Sequence, residues 1–261
     1  SVLPHLVTMK ANTALAFTLA GVSLWILQRE QPSQSTRRIG QACAVVVVLV
    51  GMLTLSEYGF GWDLGLDQLL FKEPSGAAET SHPGRMAPAT ALNFLLIGCA
   101  LLLLNTNSGI APAQYMVLSA IVVAFIALIG YIYEVKSFYS LSVYTSMAVH
   151  AALTFLVLCF GLLATHPTSR LMSIFTSENA GGAMARHLLP FAILTPVILG
   201  WLRVNGQDAG LYDTGLGTAI FTVALINIFV FFIGHTARSL SESDEQRRQA
   251  EKELAQFTRT L

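Results

Sequence analysis

Met86-Ala-Pro-Ala-Thr90-Ala91-Leu92-Asn93-Phe94 opens a run that stays uncharged from Ala87 to Leu104. A helix that crosses a bilayer needs about 20 mostly apolar residues, and this run comes close to that length. Six more stretches have the same character on either side of it: 12–27, 40–55, 114–133, 147–164, 188–201 and 216–234. The composition agrees. Of the 261 residues 54% are apolar and only 11% charged, with a mean hydropathy of +0.61, whereas a soluble domain carries roughly 25% charged residues. The expected fold class is all-α, a polytopic transmembrane helix bundle. A formal net charge of zero, 15 basic against 15 acidic residues, argues against a nucleic-acid footprint. Cys43, Cys99 and Cys159 lie inside apolar runs without ligand spacing, so they are expected as small core residues rather than a disulfide or zinc set. Pro190 and Pro196 predict a kink in the sixth stretch.

The motif that opens the third stretch is repeated. The first stretch begins Met9-Lys-Ala-Asn12-Thr13-Ala14-Leu15-Ala-Phe17, and Gly21 and Leu24 follow it at the offsets of Gly98 and Leu101. The fifth begins Met147-Ala-Val-His150-Ala-Ala152-Leu153-Thr-Phe155 and reaches Leu162 at the offset of Leu24 and Leu101. The seventh offers Thr218-Ala219-Ile220. Two units that share Met, Thr-Ala-Leu, Phe, Gly and Leu in register point to repeated helix pairs. Each pair is expected to hold a helix, an outer loop with a short amphipathic piece (66–71, 138–143 and 211–213), then a helix with the motif. Residues 1–8 stand in the place of such a piece. The chain is therefore expected to start mid-unit, with one more helix upstream and eight spans in four pairs. Ala20, Gly21, Gly98 and Ala100 are small enough to let helices approach closely.

Loop charges divide evenly between the two sides of the membrane, and the tail breaks the tie. Arg238, Arg247, Arg248, Lys252 and Arg259 follow the last stretch, which predicts a cytoplasmic C-terminus, Ser1 outside and the long 56–85 loop outside. In the tail Leu240, Arg247, Leu254 and Leu261 fall on a seven-residue grid, with Ser243, Ala250 and Phe257 in the second set of seam positions. Asp244 with Arg248 and Arg247 with Glu251 are opposite charges at helical spacing. Such a helix is either a solvated amphipathic tail or a parallel two-stranded coiled coil with a weak seam, since Arg and Ser take core slots.

The Met-x-x-x-Thr-Ala-Leu-x-Phe openings, the multi-pass layout and the tail Arg247-Arg248-Gln-Ala-Glu251-Lys252-Glu-Leu254 resemble the membrane-embedded sensor (input) regions of bacterial sensor histidine kinases and diguanylate cyclases. The resemblance implies a transmembrane sensor bundle over 1–235 and a cytoplasmic signalling helix over 236–261, in a bacterial inner membrane. It further implies that a stimulus is relayed through the last transmembrane helix to a kinase or cyclase beyond Leu261. Within these 261 residues there is no phosphoacceptor box, ATP-binding glycine motif or GGDEF sequence, and no other catalytic motif. No cofactor or metal is expected. The expected partners are the lipid bilayer, a second copy through the C-terminal helix and an unidentified small-molecule or membrane stimulus. The rival readings are a repeat-built transporter or channel, and a structural subunit of a membrane complex.

Ionisable and amide residues in or beside the spans supply the candidate site. Glu57 and Tyr58 end the second stretch, Tyr131, Tyr133 and Glu134 the fourth, and Trp201 and Arg203 the sixth. They form either an interfacial belt of aromatic and snorkelling side chains or the wall of an outward-facing pocket. The floor of that pocket would hold Asn12, Thr13, Thr90, Asn93 and His150. His150 is the histidine placed to lie well inside a span; with no second histidine at its depth, it is expected to make a structural hydrogen bond or to sense protonation. Asn93 and Asn227 carry amides that lipid cannot satisfy and are expected to face the bundle interior. Asn227, His235, Leu240, Arg247, Leu254, Phe257 and Leu261 form the expected relay.

Overall fold

The structure, a computed structural model, describes residues 9–29, 33–65, 67–68, 84–106, 108–133, 147–167, 169, 172–177 and 180–260, the side chains of 180 and from 239 onward excepted. All regular structure among them is helical. The helices are α1 (Ala11–Leu27), α2 (Gln34–Phe60), α3 (Pro88–Leu103), α4 (Ile110–Ile132), α5 (Val149–Ala164), α6 (Ser173–Thr176), α7 (Ala180–Asp208) and α8 (Thr214–Thr260). Every one of the seven apolar stretches falls on one of these helices to within two residues. Four helical segments are long and apolar enough to cross a membrane: Gln34–Phe60, Ile110–Ile132, Gly181–Asp208 and Thr214–Arg238. The three that open with the motif are shorter, 17, 16 and 16 residues, or about 25 Å each at 1.5 Å per residue. Of the expected amphipathic pieces, 1–8, 138–143 and all of 66–71 except 67–68 lie outside the described residues.

The chain forms two compact units, Ser1–Ser169 and Arg170–Leu261. In the first, α2 packs between α1 and α3, and α4 packs between α3 and α5. The motif helices share their start. Each begins two residues after its methionine, behind an extended residue (Lys10, Ala87 or Ala148) with ψ of 150°, 147° and 143° and no side-chain cap. Pro88 takes the first helical position of α3, where its missing N–H leaves no bond unmade. Nearly two turns further in, the motif phenylalanines meet: ring centroids of Phe17, Phe94 and Phe155 lie 4.9, 4.5 and 4.9 Å apart pairwise, with tilted or edge-on faces. The motif leucines Leu15, Leu92 and Leu153 face outward on all three helices. Because the rings meet near the starts of α1, α3 and α5 and their far ends also converge on one cavity, the three helices run in the same direction, with α2 and α4 antiparallel to them.

Close approach between α2 and α3 depends on two glycines. A Cβ on Gly51 would stand 2.6 Å from the Ala91 carbonyl oxygen, and one on Gly98 would stand 2.6 Å from Val48. Ala20 and Ala100 are fully buried, as expected of small contact residues, but Gly21 faces open space. No atom of the described residues lies within 4 Å of where its Cβ would be, so its small size brings no neighbour closer there. All three cysteines are free, Cys159 buried and the other two half-buried.

In the second unit, α7 runs through both Pro190 and Pro196 and pairs with α8. The Phe191 ring stacks on Phe232 at 3.7 Å. The turn between the helices is held by Tyr212, whose hydroxyl donates to the carbonyls of Leu202 and Arg203 at 3.2 and 3.1 Å. Asp213 then caps α8, its Oδ1 accepting the Leu216 N–H at 2.7 Å. From there α8 continues for 47 residues, about 70 Å of helix.

Candidate functional site

The first unit carries a cluster of charged side chains where the end of α2 meets the starts of α1 and α3. α2 stops because Gly61 adopts the left-handed conformation, φ 69°, with its N–H on the Glu57 carbonyl at 3.0 Å. The chain then folds back so that the Leu64 N–H donates to Glu57 Oε1 at 3.0 Å. Gly84 delivers the next element. Its φ of 79° and an Asp67 carbonyl oxygen 2.5 Å from where a Cβ would sit leave room only for glycine.

Arg85 follows directly and is almost entirely buried. Its Nε donates to Asp67 Oδ2 at 2.6 Å and lies 3.4 Å from Glu57 Oε2, and its NH2 nitrogen is 3.6 Å from Asp63 Oδ1. The guanidinium also stands 5.4 Å above the Tyr58 ring. Burial works against the charge on Arg85, but the Asp67 hydrogen bond and the neighbouring carboxylates outweigh it and raise its pKa. Three helices are tied to this point. Asn12 Nδ2 of α1 donates to the Asp67 carbonyl at 3.3 Å, and the Tyr58 hydroxyl of α2 donates to the Met86 carbonyl, two residues ahead of α3, at 3.0 Å. Lys10 is buried two residues before Asn12.

Glu57, Asp63 and Asp67 bring carboxylate oxygens within 4.8 Å of one another, a spacing that suits a cation. The arginine already supplies that charge, hydrogen-bonded to one carboxylate and in ionic contact with the other two. What the described side chains of the cluster do is join one arginine to three carboxylates where α1, α2 and the approach to α3 meet.

The structure gathers Asn12, Glu57 and Tyr58 here and distributes the other candidates elsewhere. Thr13 and Thr90 are buried within α1 and α3. Asn93 is fully buried, as expected, donating to the Ala120 carbonyl at 3.2 Å, while its Oδ1 has no partner among the described residues. Tyr131 repeats the bond of Tyr58 one pair later, its hydroxyl on the Met147 carbonyl at 2.8 Å. Tyr133 caps α4, and Glu134 lies outside the described residues. His150 is exposed on the first turn of α5.

Trp201 and Arg203 belong to the second unit, where Arg203 donates to Thr218 Oγ1 at 2.8 Å. Asn227 departs from expectation: it points outward on α8, because its Nδ2 satisfies itself on the Val223 carbonyl one turn back, at 2.8 Å. His235 is exposed, lying parallel to the Phe231 ring at 6.4 Å. Leu240, Arg247, Leu254 and Phe257 lie on the helical backbone of α8 with side chains outside the described atoms, and Leu261 lies outside the described residues.

Sequence reasoning missed Arg85, Asp67 and Asp63 as site residues. The available signal was a glycine-arginine pair directly before the Met86 motif, opposite a loop rich in acid. Compared with known proteins, the chain matches no family model, no curated protein and no solved structure.

Proposed function

We propose that the chain is the membrane-embedded input region of a bacterial signal-transduction receptor, built of repeated helix pairs and working as a homodimer in the inner membrane. The observation that carries this reading is α8, a single helix from Thr214 through the last apolar segment into the charged tail. A rod of this kind converts a small change in helix packing into a shift or rotation at its far end. Ile226 and Ile233 support a shared seam: both are exposed, and they lie on the seven-residue grid that continues through Leu240, Arg247, Leu254 and Leu261. The matched starts of α1, α3 and α5, the three meeting phenylalanines and the paired Tyr58 and Tyr131 bonds support the repeat.

In this reading the C-terminus is cytoplasmic and the Arg85 cluster faces outward. A stimulus acts only through its different affinity for two packings of the helices. The cluster is the place where binding changes packing, since it joins α1, α2 and α3. The output module, a kinase or a cyclase, lies beyond Leu261. In cells carrying the full-length protein, a Gly-Pro pair in place of Ser241 and Glu242 is expected to leave membrane insertion intact and abolish stimulus-dependent output. Normal output from that variant would contradict the relay.

A further inference from the structure

Each motif helix has two flanks, and the repeat gives each flank a neighbour. On α3, Ala91, Leu95 and Gly98 lie against the helix before it. A Cβ on Gly51 of α2 would stand 2.6 Å from the Ala91 carbonyl oxygen and 2.7 Å from the Leu95 nitrogen, and one on Gly98 would stand 2.6 Å from Val48. The other flank of α3 carries Asn93 and Ala100, both fully buried, and Asn93 donates to the Ala120 carbonyl of the helix after it, α4. On α1 the same positions hold Ala16 and Ser23, again buried, and the Ser23 hydroxyl donates to the Gly40 carbonyl of α2 at 2.8 Å. On α5 the first flank repeats as Ala152 and Cys159, both buried, with α4 as the helix before it and packed against it.

Two flanks have no neighbour among the described residues of the first unit. On α1 the counterparts of Ala91, Leu95 and Gly98 are Ala14, Thr18 and Gly21: the first two are exposed, and a Cβ on Gly21 would meet no atom within 4 Å. On α5 the counterpart of Asn93 is Thr154, which is exposed, and Val157 three residues on is 72% exposed. α1 and α5 touch through Phe17 and Phe155, so these uncharged flanks border one groove. A hydrogen bond of the repeat is also open there. Tyr58 and Tyr131, each on the helix before a motif, donate to the Met86 and Met147 carbonyls. The Met9 carbonyl, at the same motif position, has no hydrogen-bond partner among the described residues.

The helices that fill the two matching grooves share one pattern. Counted back from the tyrosine, α2 and α4 are buried at the same five positions, 4, 7, 11, 14 and 18 residues away, and each of these holds Gly, Ala, Val or Thr. Small residues at that spacing form the seam that lets a helix sit close between two others. We infer that the groove between α1 and α5 seats one more membrane-spanning helix, antiparallel to α1, with this seam and with a tyrosine that donates to the Met9 carbonyl. The repeat also assigns its source. The first flank of α3 and of α5 is covered by the helix directly before it in the chain, so the occupant is a helix ahead of Ser1 in the full-length protein. The inference rests on the repeat and not on the relay.

The test uses the full-length protein in its own membrane, carrying the photo-reactive residue p-benzoylphenylalanine in place of Thr18 or of Thr154. After illumination, both sites are expected to give an adduct on one apolar segment N-terminal to Ser1 of the same polypeptide, identified by mass spectrometry of the fragments. Gly21→Phe, which meets no described atom at its Cβ, is expected to leave membrane insertion intact and to cut the Thr154 adduct about tenfold, as over-filling of a packed contact does. The inference is overturned if the adducts fall only on lipid, only on α1 to α8 of the same or a second copy, or on a different polypeptide. It is equally overturned if Gly21→Phe leaves the yield unchanged. Any of these results in a protein that still gives stimulus-dependent output would remove the added helix and leave the relay standing.

Discussion

Arg85 draws three carboxylates of the first unit, Glu57, Asp63 and Asp67, to one point. Two carboxylates are buried beside it: Asp67, which accepts its Nε–H, and Glu57, which lies 3.4 Å from Nε and also accepts the Leu64 N–H. Arg85→Met removes the charge and leaves both acids without their countercharge. Its expected cost is roughly 3 kcal/mol, read as a lower unfolding midpoint in detergent. Adding Asp67→Leu to that variant is expected to recover part of the loss, because fewer charges then remain buried without a partner. Recovery is absent if the ion pair is incidental. This pairing was hidden in the sequence for a physical reason. Arg85 and Asp67 are 18 positions apart and outside the apolar stretches, where no periodicity marks them, and the left-handed Gly84 lies against the Asp67 carbonyl directly before Arg85. Asn12, Glu57 and Tyr58 were legible because they sit on helices, where depth in the membrane follows directly from position.

Helix contacts set the next level. The motif helices were readable because the Phe positions recur at a fixed distance from methionine, and that distance places Phe17, Phe94 and Phe155 at one level of the unit. Small residues were a weaker guide. Gly51 and Gly98 lie in the α2–α3 contact, yet Gly21, at the same motif offset as Gly98, meets nothing. A valine separates the two cases. At Gly51 its Cβ meets backbone atoms of α3, which cannot move away without parting the helices, so the expected cost is about 1–3 kcal/mol. At Gly21 the same change costs nothing in packing and slightly favours the helix. Unfolding of the two variants in detergent checks the contrast, and similar losses at both sites would contradict the assigned contact. Asn227 shows the same limit from the other side: an amide in an apolar stretch predicts an interior position, but a helix lets it bond to its own preceding turn.

At the scale of the whole chain, the seven apolar stretches and the all-helical class follow from composition and run length alone. The boundary between the units at Ser169 does not, because nothing in the pattern distinguishes the loop after α5 from the others. The functional reading rests on α8 staying helical from the apolar segment into the charged tail, and one distance tests that most directly. With the three native cysteines replaced, spin labels are placed at Val230 and Ala250, and the labelled chain is diluted with unlabelled chain in lipid vesicles. Twenty residues of unbroken helix predict one narrow distance near 30 Å. A broad distribution, or a distance well short of that value, would mean that the tail is not a rigid extension of the membrane helix and would contradict the relay.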